Sequence, residues 1–305
     1  MSQTASQRSG PGLRSVCGRD AEQKAYSQED AQCRDTRLAT VEIIERGVGQ
    51  PVVFLHGLLG LNWHWLPVVD QLAHRARCIM PQAPLHKLRG HQRTIEGATD
   101  LIRCALTARL HQPAIFVGNS MGGQIALRLA MERPSMVCGL VLTGSSGLFE
   151  RTDDLDELST TSRDVSHRPS RDWIHRKIAE LFYSPDEAML NNAVEMAVTE
   201  LADRRAARAI VRLSRSAKAD NLADRLSRVT QPTLLIWGKR DIVTPPRVAD
   251  DFLRLLPDAR LRWLEHCGHA PMIEYPEIFA QEVAAFLDRI GDGQRQTKGT
   301  RQEVA

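Results

Sequence analysis

Long apolar runs are missing from this 305-residue chain. Nothing in it approaches the about 20 apolar residues that a bilayer-spanning helix requires, so no membrane span is expected. Residues 1–36 also lack the apolar centre of a secretory signal. They are rich in Ser, Gln, Arg and Asp, bury too little to offset ordering entropy, and are expected to form a disordered tail. An excess of one charge is absent too: 40 Lys plus Arg stand against 37 Asp plus Glu, a formal +3. That near-balance gives no reason to expect a nucleic acid or an anionic membrane as partner. Neither C-x-x-C nor H-E-x-x-H occurs, so no metal site is expected. G-x-G-x-x-G and G-x-x-x-x-G-K-[ST] are likewise absent, and no cofactor is implied. The six cysteines (Cys17, Cys33, Cys78, Cys104, Cys138, Cys267) are scattered and frame nothing. Cys78 and Cys138 lie in apolar strand-like runs and read as buried thiols. A reducing, cytoplasmic compartment is the simplest reading of that pattern.

What is present is a regular alternation of strand and helix signals. Thr40–Glu45 alternates like an edge strand, and Gly47-Val48-Gly49 turns it into the apolar run Pro51–Leu55. Arg77–Met80 reads as a short strand, and residues 94–110 repeat apolar residues at helical spacing. Gly139–Thr143 is a further strand. From about Leu148 to about Arg228 strand signals stop while helical periodicity continues, with helices expected over Trp173–Phe182, Ala188–Val198 and about Glu200–Ala217. The last is amphipathic: Ala202, Ala206, Ala209, Ile210 and Leu213 form its apolar stripe. Arg204, Arg205, Arg208, Arg212 and Arg215 occupy its other side, read as a solvated face with acidic neighbours. The fold class is therefore α/β: a mostly parallel central sheet with helices on both faces and an inserted helical cap. The expected divisions are a core of residues 37–147 and 229–290, a cap of residues 148–228, and flexible tails at 1–36 and 291–305.

One segment carries the chemistry. The apolar run Ala114–Val117 leads into Gly118-Asn119-Ser120-Met121-Gly122-Gly123, and an amphipathic run follows. Strand, Gly-x-Ser-x-Gly, helix is the nucleophile-elbow pattern. Its turn is so tight that Gly118 and Gly122 must lack side chains for neighbouring backbone to approach. A serine hydroxyl needs a base, and that base an orienting acid. Downstream, the apolar strand Thr233–Trp237 ends in a turn bearing Asp241, and the strand Leu261–Leu264 ends in a loop bearing His269. Strand carboxyl ends are where open α/β sheets place their chemistry.

With these segments the chain resembles the α/β-hydrolase superfamily, from about Leu38 to about Ile290. The matching residues are Val53-Phe54-Leu55-His56-Gly57, Gly118 to Gly122, Trp237-Gly238 with Asp241, and Cys267-Gly268-His269. The resemblance implies Ser120 as nucleophile, His269 as general base and then acid, and Asp241 as its orienting carboxylate. It also implies an oxyanion hole from the backbone N–H groups of Leu58 and Met121, with His56 structural. Serine at the elbow counts against epoxide hydrolases and haloalkane dehalogenases, which use a carboxylate there.

Rival assignments exist for the acid and the base. Asp241 precedes Thr244-Pro245-Pro246 and could cap the next helix. Asp153, Asp154 and Asp156 could supply an alternative acid after the strand that follows the elbow. His266 competes with His269, though the Gly-His-x-Pro context favours His269. His64, His86, His91 and His111 read as surface or loop residues. Trp63, Trp65, Phe149, Trp173 and Tyr183 are natural candidates for an apolar acyl pocket. Residues 81–90 depart from a D-x-x-G-x-G-x-S stretch common among relatives, which bears on the substrate, not on the triad. The expected activity is hydrolysis of a small to medium carboxylic ester, with a small-molecule acyl substrate as partner. Alternatives are a carbon–carbon bond hydrolase of the meta-cleavage type and a non-enzymatic ligand-binding protein on the same fold. Oligomeric state is not legible in the sequence.

Overall fold

The computed structural model describes residues 41–58, 62–82, 84, 87–148 and 170–302, with side chains through residue 292. The readings made for residues 1–36, His86, Phe149, Asp153, Asp154 and Asp156 lie outside these residues.

The sheet begins with β1 (Glu42–Arg46), β2 (Gln50–Leu55), β3 (Ala76–Gln82), β4 (Ala114–Asn119) and β5 (Val137–Thr143). It continues with β6 (Thr233–Gly238) and β7 (Ala259–Leu264). The seven strands lie in the order β1-β3-β2-β4-β5-β6-β7. Every neighbouring pair is parallel except β1 with β3. Gly47–Gly49 therefore does not close a hairpin; β1 crosses over to pair with β3, Glu42 opposite Gln82. Every residue of β2, β4 and β6 is buried. A strand covered on both faces has no polar side to show, so these three read as continuous apolar runs.

Helices α1 (Leu66–Leu72), α2 (Ile95–Thr107) and α3 (Met121–Glu132) connect the first strands. Thr94 caps α2, its hydroxyl accepting from the Gly97 N–H at 3.1 Å. Between β5 and β6 lie α4 (Arg171–Ala179), α5 (Glu187–Ala202) and α6 (Arg204–Ala219), all within the segment read as a cap. No strand occurs between Thr143 and Thr233 among the described residues. The third of these helices begins four residues later than expected. Asp203 ends α5 and caps α6, accepting from the N–H groups of Arg205 and Ala206. A short carboxylate at an N-cap competes with helix continuation, so one apolar stripe is broken into two helices.

The chain closes with α7 (Pro246–Leu255), the single turn α8 (Pro271–Glu274) and α9 (Pro276–Gln302). The last extends helically past residue 290, into the part read as a tail. Trp65 ties this end to the sheet, with ring centroids 5.4 Å from Phe54 and 5.8 Å from Phe279. Cys78, Cys138 and Cys267 are free thiols, and burial pushes the Cys78 thiol up to about 12. Cys104 is disulfide-bonded. Among the described residues no helix is long and apolar enough to cross a membrane.

The inserted helices are riveted to the core at one buried polar knot. Gln124 on α3 donates to the carbonyls of Ala217 and Asp220 at 3.0 and 2.9 Å, and Arg128 pairs with Asp220 at 2.8 Å. The elbow itself is set by close backbone approach. A Cβ at Gly122 would stand 2.2 Å from the Leu55 carbonyl oxygen, and one at Gly118 would stand 2.6 Å from the Gly122 backbone. Gly122→Ala is thus predicted to destabilise the fold by about 2 kcal/mol or more, since rigid strand and turn cannot both retreat. Thermal unfolding should shift downward by roughly 5 °C or more. An unchanged melting curve would contradict this account of the turn.

Candidate active site

Ser120 sits between β4 and α3 with φ 54° and ψ −121°, the one non-glycine residue at positive φ among the described residues. That conformation costs a β-carbon-bearing residue on the order of 1–3 kcal/mol and persists only where surroundings over-determine it. They do so here. The Ser120 N–H donates to the Thr143 carbonyl at 3.1 Å, while its own carbonyl accepts from Gly123, Gln124 and Ser146. The buried Asn119 side chain donates to the carbonyls of Thr143 and His269, at 3.2 and 3.0 Å. One residue thereby joins the elbow to the histidine loop.

Asp241 and His269, 28 residues apart in sequence, meet at 2.9 Å between Oδ2 and Nδ1. Asp241 is 2% exposed and His269 4%. The carboxylate accepts throughout: Oδ1 from the N–H groups of Val243 and Thr244 at 2.9 and 2.8 Å, Oδ2 from the Thr244 hydroxyl at 2.8 Å. A carboxylate so placed favours the tautomer with the proton on Nδ1 of His269, which leaves Nε2 as an acceptor. The helix-capping alternative for Asp241 does not hold, because α7 starts at Pro246 after Pro245 and has no side-chain cap. His266 is exposed and stacks on Tyr183, so it does not compete with His269.

Ser120 and His269 both line a cavity of about 230 Å³. Leu58 and Met121 line it beside the serine, and Ile178, Phe182, Met196 and Ile210 close it from the inserted segment. Of the aromatic candidates, Trp63 reaches the cavity. Trp65 is core, Trp173 packs against the core, and Tyr183 is 46% exposed. None of the arginines of α6 lines the cavity; its charged lining residues are Glu200 and Lys218. The face carrying Arg204, Arg205, Arg208 and Arg212 is exposed, as a solvated face should be. None of the ion pairs among the described residues involves those four. Burial and the like charges of Arg212, Arg89, Arg208 and Arg205 pull the Arg93 guanidinium below its ordinary value. Among the described residues no cluster of three or more His, Cys, Asp or Glu could hold a metal ion.

Comparison with known proteins agrees with this geometry. Residues 52–282 match the model of the alpha/beta hydrolase family. The chain belongs to that family. It is 31% identical over 253 residues to a pimeloyl-[acyl-carrier protein] methyl ester esterase of Nitrosomonas europaea, covering 79% of this chain and 97% of that protein. It is 30% identical to a 2-hydroxy-6-oxo-6-(2'-aminophenyl)hexa-2,4-dienoic acid hydrolase of Metapseudomonas resinovorans, over 82% and 88% of the two chains. Among solved structures, a serine hydrolase involved in carbazole degradation aligns with TM-score 0.68 at 27% identity, covering 81% of this chain and 94% of that one. Relatives of both kinds are hydrolases, and the chain is an enzyme of that class.

Sequence reasoning missed residues whose role is to hold others. Thr244 shares Asp241 Oδ2 with His269, lies 3.2 Å from Nδ1, and is itself anchored by the Trp237 indole N–H donating to its carbonyl. The Asp-x-x-Thr spacing after a strand was the available signal. Gly144, at φ 52°, leaves the space in which a Cβ would stand 2.6 Å from His269 Nδ1. His64 is the one reading overturned outright: it is half-buried against the cavity with its ring edge-on to Trp63 at 4.2 Å. Burial, and then the neighbouring His56, lower it from 6.5 to about 3.

That depression has a signed consequence. In folded protein His64 stays neutral while the unfolded chain's imidazole protonates, so the unfolded state binds the extra proton between about pH 6.5 and 3. The contribution of His64 to stability is complete above that window and drains away as pH falls through it. The prediction is that His64→Gln loses less melting temperature than wild type between pH 7 and pH 5. Parallel pH dependences of the two melting temperatures would refute it.

Proposed function

We propose that this protein is a serine hydrolase that cleaves a carboxylic ester of small to medium size through an acyl-enzyme on Ser120. The observation that carries the reading is the strained Ser120 elbow opening into the same apolar cavity as His269, whose Nδ1 is held by buried Asp241. Ser120 Oγ attacks the acyl carbon as His269 Nε2 takes its proton. The N–H groups of Leu58 and Met121 stabilise the oxyanion, the step in which such donors typically contribute on the order of a hundredfold or more in turnover. His269 returns the proton to the leaving alcohol, and water attacks the acyl-enzyme by the reverse assignment of roles. Asp241 keeps the proton on Nδ1 and stabilises the imidazolium. No cofactor or metal takes part in this scheme.

Residues 148–228 act in this reading as a cap that supplies the acyl wall through Ile178, Phe182, Met196 and Ile210. Carbon–carbon hydrolysis is the second reading, favoured by the 30% identity to the dienoic acid hydrolase. The ester reading stands ahead of it because, among the described residues, no cap arginine lines the cavity to bind a dicarbonyl acid. Ala270 also follows the histidine where the meta-cleavage enzymes tend to carry Trp.

Intact mass after a fluorophosphonate probe should show one adduct on wild type and none on Ser120→Ala or His269→Ala. Asp241→Asn should retain its fold and lose on the order of 10³–10⁴ in kcat on a p-nitrophenyl ester. Turnover at the wild-type rate in any of these variants would retire the triad. Faster cleavage of a dienoate than of any short-chain or medium-chain ester would reverse the order of the two readings.

A further inference from the structure

Glu274 ends the turn α8, five residues after His269. Its carboxylate gathers donors from two distant parts of the chain. Oε1 accepts from the Gly268 N–H at 2.7 Å and from the Cys267 thiol at 3.5 Å, while Oε2 accepts from the Tyr183 N–H at 2.8 Å. Gly268 adjoins His269. Tyr183 adjoins Leu181 and Phe182, both on the cavity wall. The two segments also meet without an intermediary, the His269 N–H donating to the Leu181 carbonyl at 2.8 Å. There is no slack in the contact: a Cβ at Gly268 would lie 2.9 Å from both Leu181 O and Tyr183 N. The Tyr183 ring completes the joint, stacked on His266 at 5.7 Å with the Arg240 guanidinium 5.9 Å from its centroid.

We propose that Glu274 is a positioning residue that locks the acyl wall at Leu181–Tyr183 to the loop holding His269, so that the cavity and the base keep one register. The proposal rests on the serine-hydrolase reading of the site. An ionised carboxylate has about four lone-pair sites and no proton to offer, so it can take donors from both segments at once. Replacing it leaves the part-buried Gly268 N–H unpaired and the exposed Tyr183 N–H to water, so that the tie between the two segments is lost and they can move apart. Movement of the loop carries the imidazole with it, and a misplacement of about 1 Å can cost on the order of a hundredfold in rate. Glutamine separates the two duties. Its one carbonyl oxygen can still accept from Gly268, but its amide N–H₂ then faces the Tyr183 N–H, donor against donor.

The test compares wild type, Glu274→Ala, Glu274→Gln and Gly268→Ala on p-nitrophenyl esters of short and medium acyl length. Hydrogen exchange at Tyr183, Gly268 and His269 is measured in parallel. Glu274→Ala should lower kcat by about 10- to 100-fold on both esters, with exchange at the three amides rising together. Glu274→Gln should keep kcat within about threefold of wild type and raise KM selectively for the longer ester, because the loop bond survives and the wall bond does not. Gly268→Ala, which alters no charge, should reproduce the alanine pattern. A merely structural role predicts a loss of active fraction with unchanged KM for both esters in every variant, and that result overturns the proposal. So does exchange that rises on one segment alone in Glu274→Ala. Fluorophosphonate labelling separates the two levels: a wild type that takes no adduct retires the hydrolase reading and the positioning role with it. A labelled wild type beside a kinetically normal Glu274→Ala overturns the coupling only.

Discussion

The backbone of Ser120 is the constraint on which the site depends. Its left-handed conformation is unfavourable alone and is held by bonds from β5, from the first turn of α3 and from the Ser146 segment. Those bonds exist because β4 and β5 pair in parallel with Asn119 opposite Thr143. Helix α3 can start immediately after the serine because Gly118 and Gly122 let backbone touch backbone. Sheet order, elbow strain and helix position are therefore one arrangement. The strain is stored where the chemistry needs a hydroxyl raised above the strand ends, which is where stored strain is expected to be functional.

Asp241 and His269 come together near that serine by the same logic of parallel strands. β5, β6 and β7 lie side by side, so the loops after them open at one edge of the sheet. Asp241 follows β6 and His269 follows β7, and their bond forms in a place sealed from water. Burial strengthens an Asp–His hydrogen bond electrostatically and penalises any unpaired acceptor. Asp241 meets that penalty by accepting from Val243 and Thr244 as well as from the imidazole. Each of these contacts is an accepted hydrogen bond that fixes the carboxylate toward His269.

Much of this was legible in the chain. The parallel core was readable because strands buried on both faces must be apolar along their whole length, as Val52–Leu55 and Ala114–Val117 are. Ser120, Asp241 and His269 were readable because a nucleophile elbow and strand-end turns impose glycine, apolar and polar residues at fixed offsets. Thr244, Gly144 and Glu274 were not, since each acts on a group brought near only by folding. His64 misled because a histidine beside two tryptophans looks the same in sequence whether it faces solvent or a cavity. The arginines of α6 show a further limit. Helical spacing placed them on one face correctly, but the Arg89–Arg93 turn that lies against that helix is more than a hundred residues earlier in sequence.

By itself the sequence indicated the fold class and the serine, aspartate and histidine proposed for the reaction, with their order, because local patterns of polarity and small residues encode strands, turns and helices directly. Only the tertiary structure decided what surrounds them. It placed Ile178, Phe182, Met196 and Ile210 over the serine, turned the arginines away from the cavity, and set Glu274 between the wall and the base. Those outcomes depend on which distant segments share a surface, and that is settled by packing and by the pairing of buried polar groups across the whole chain.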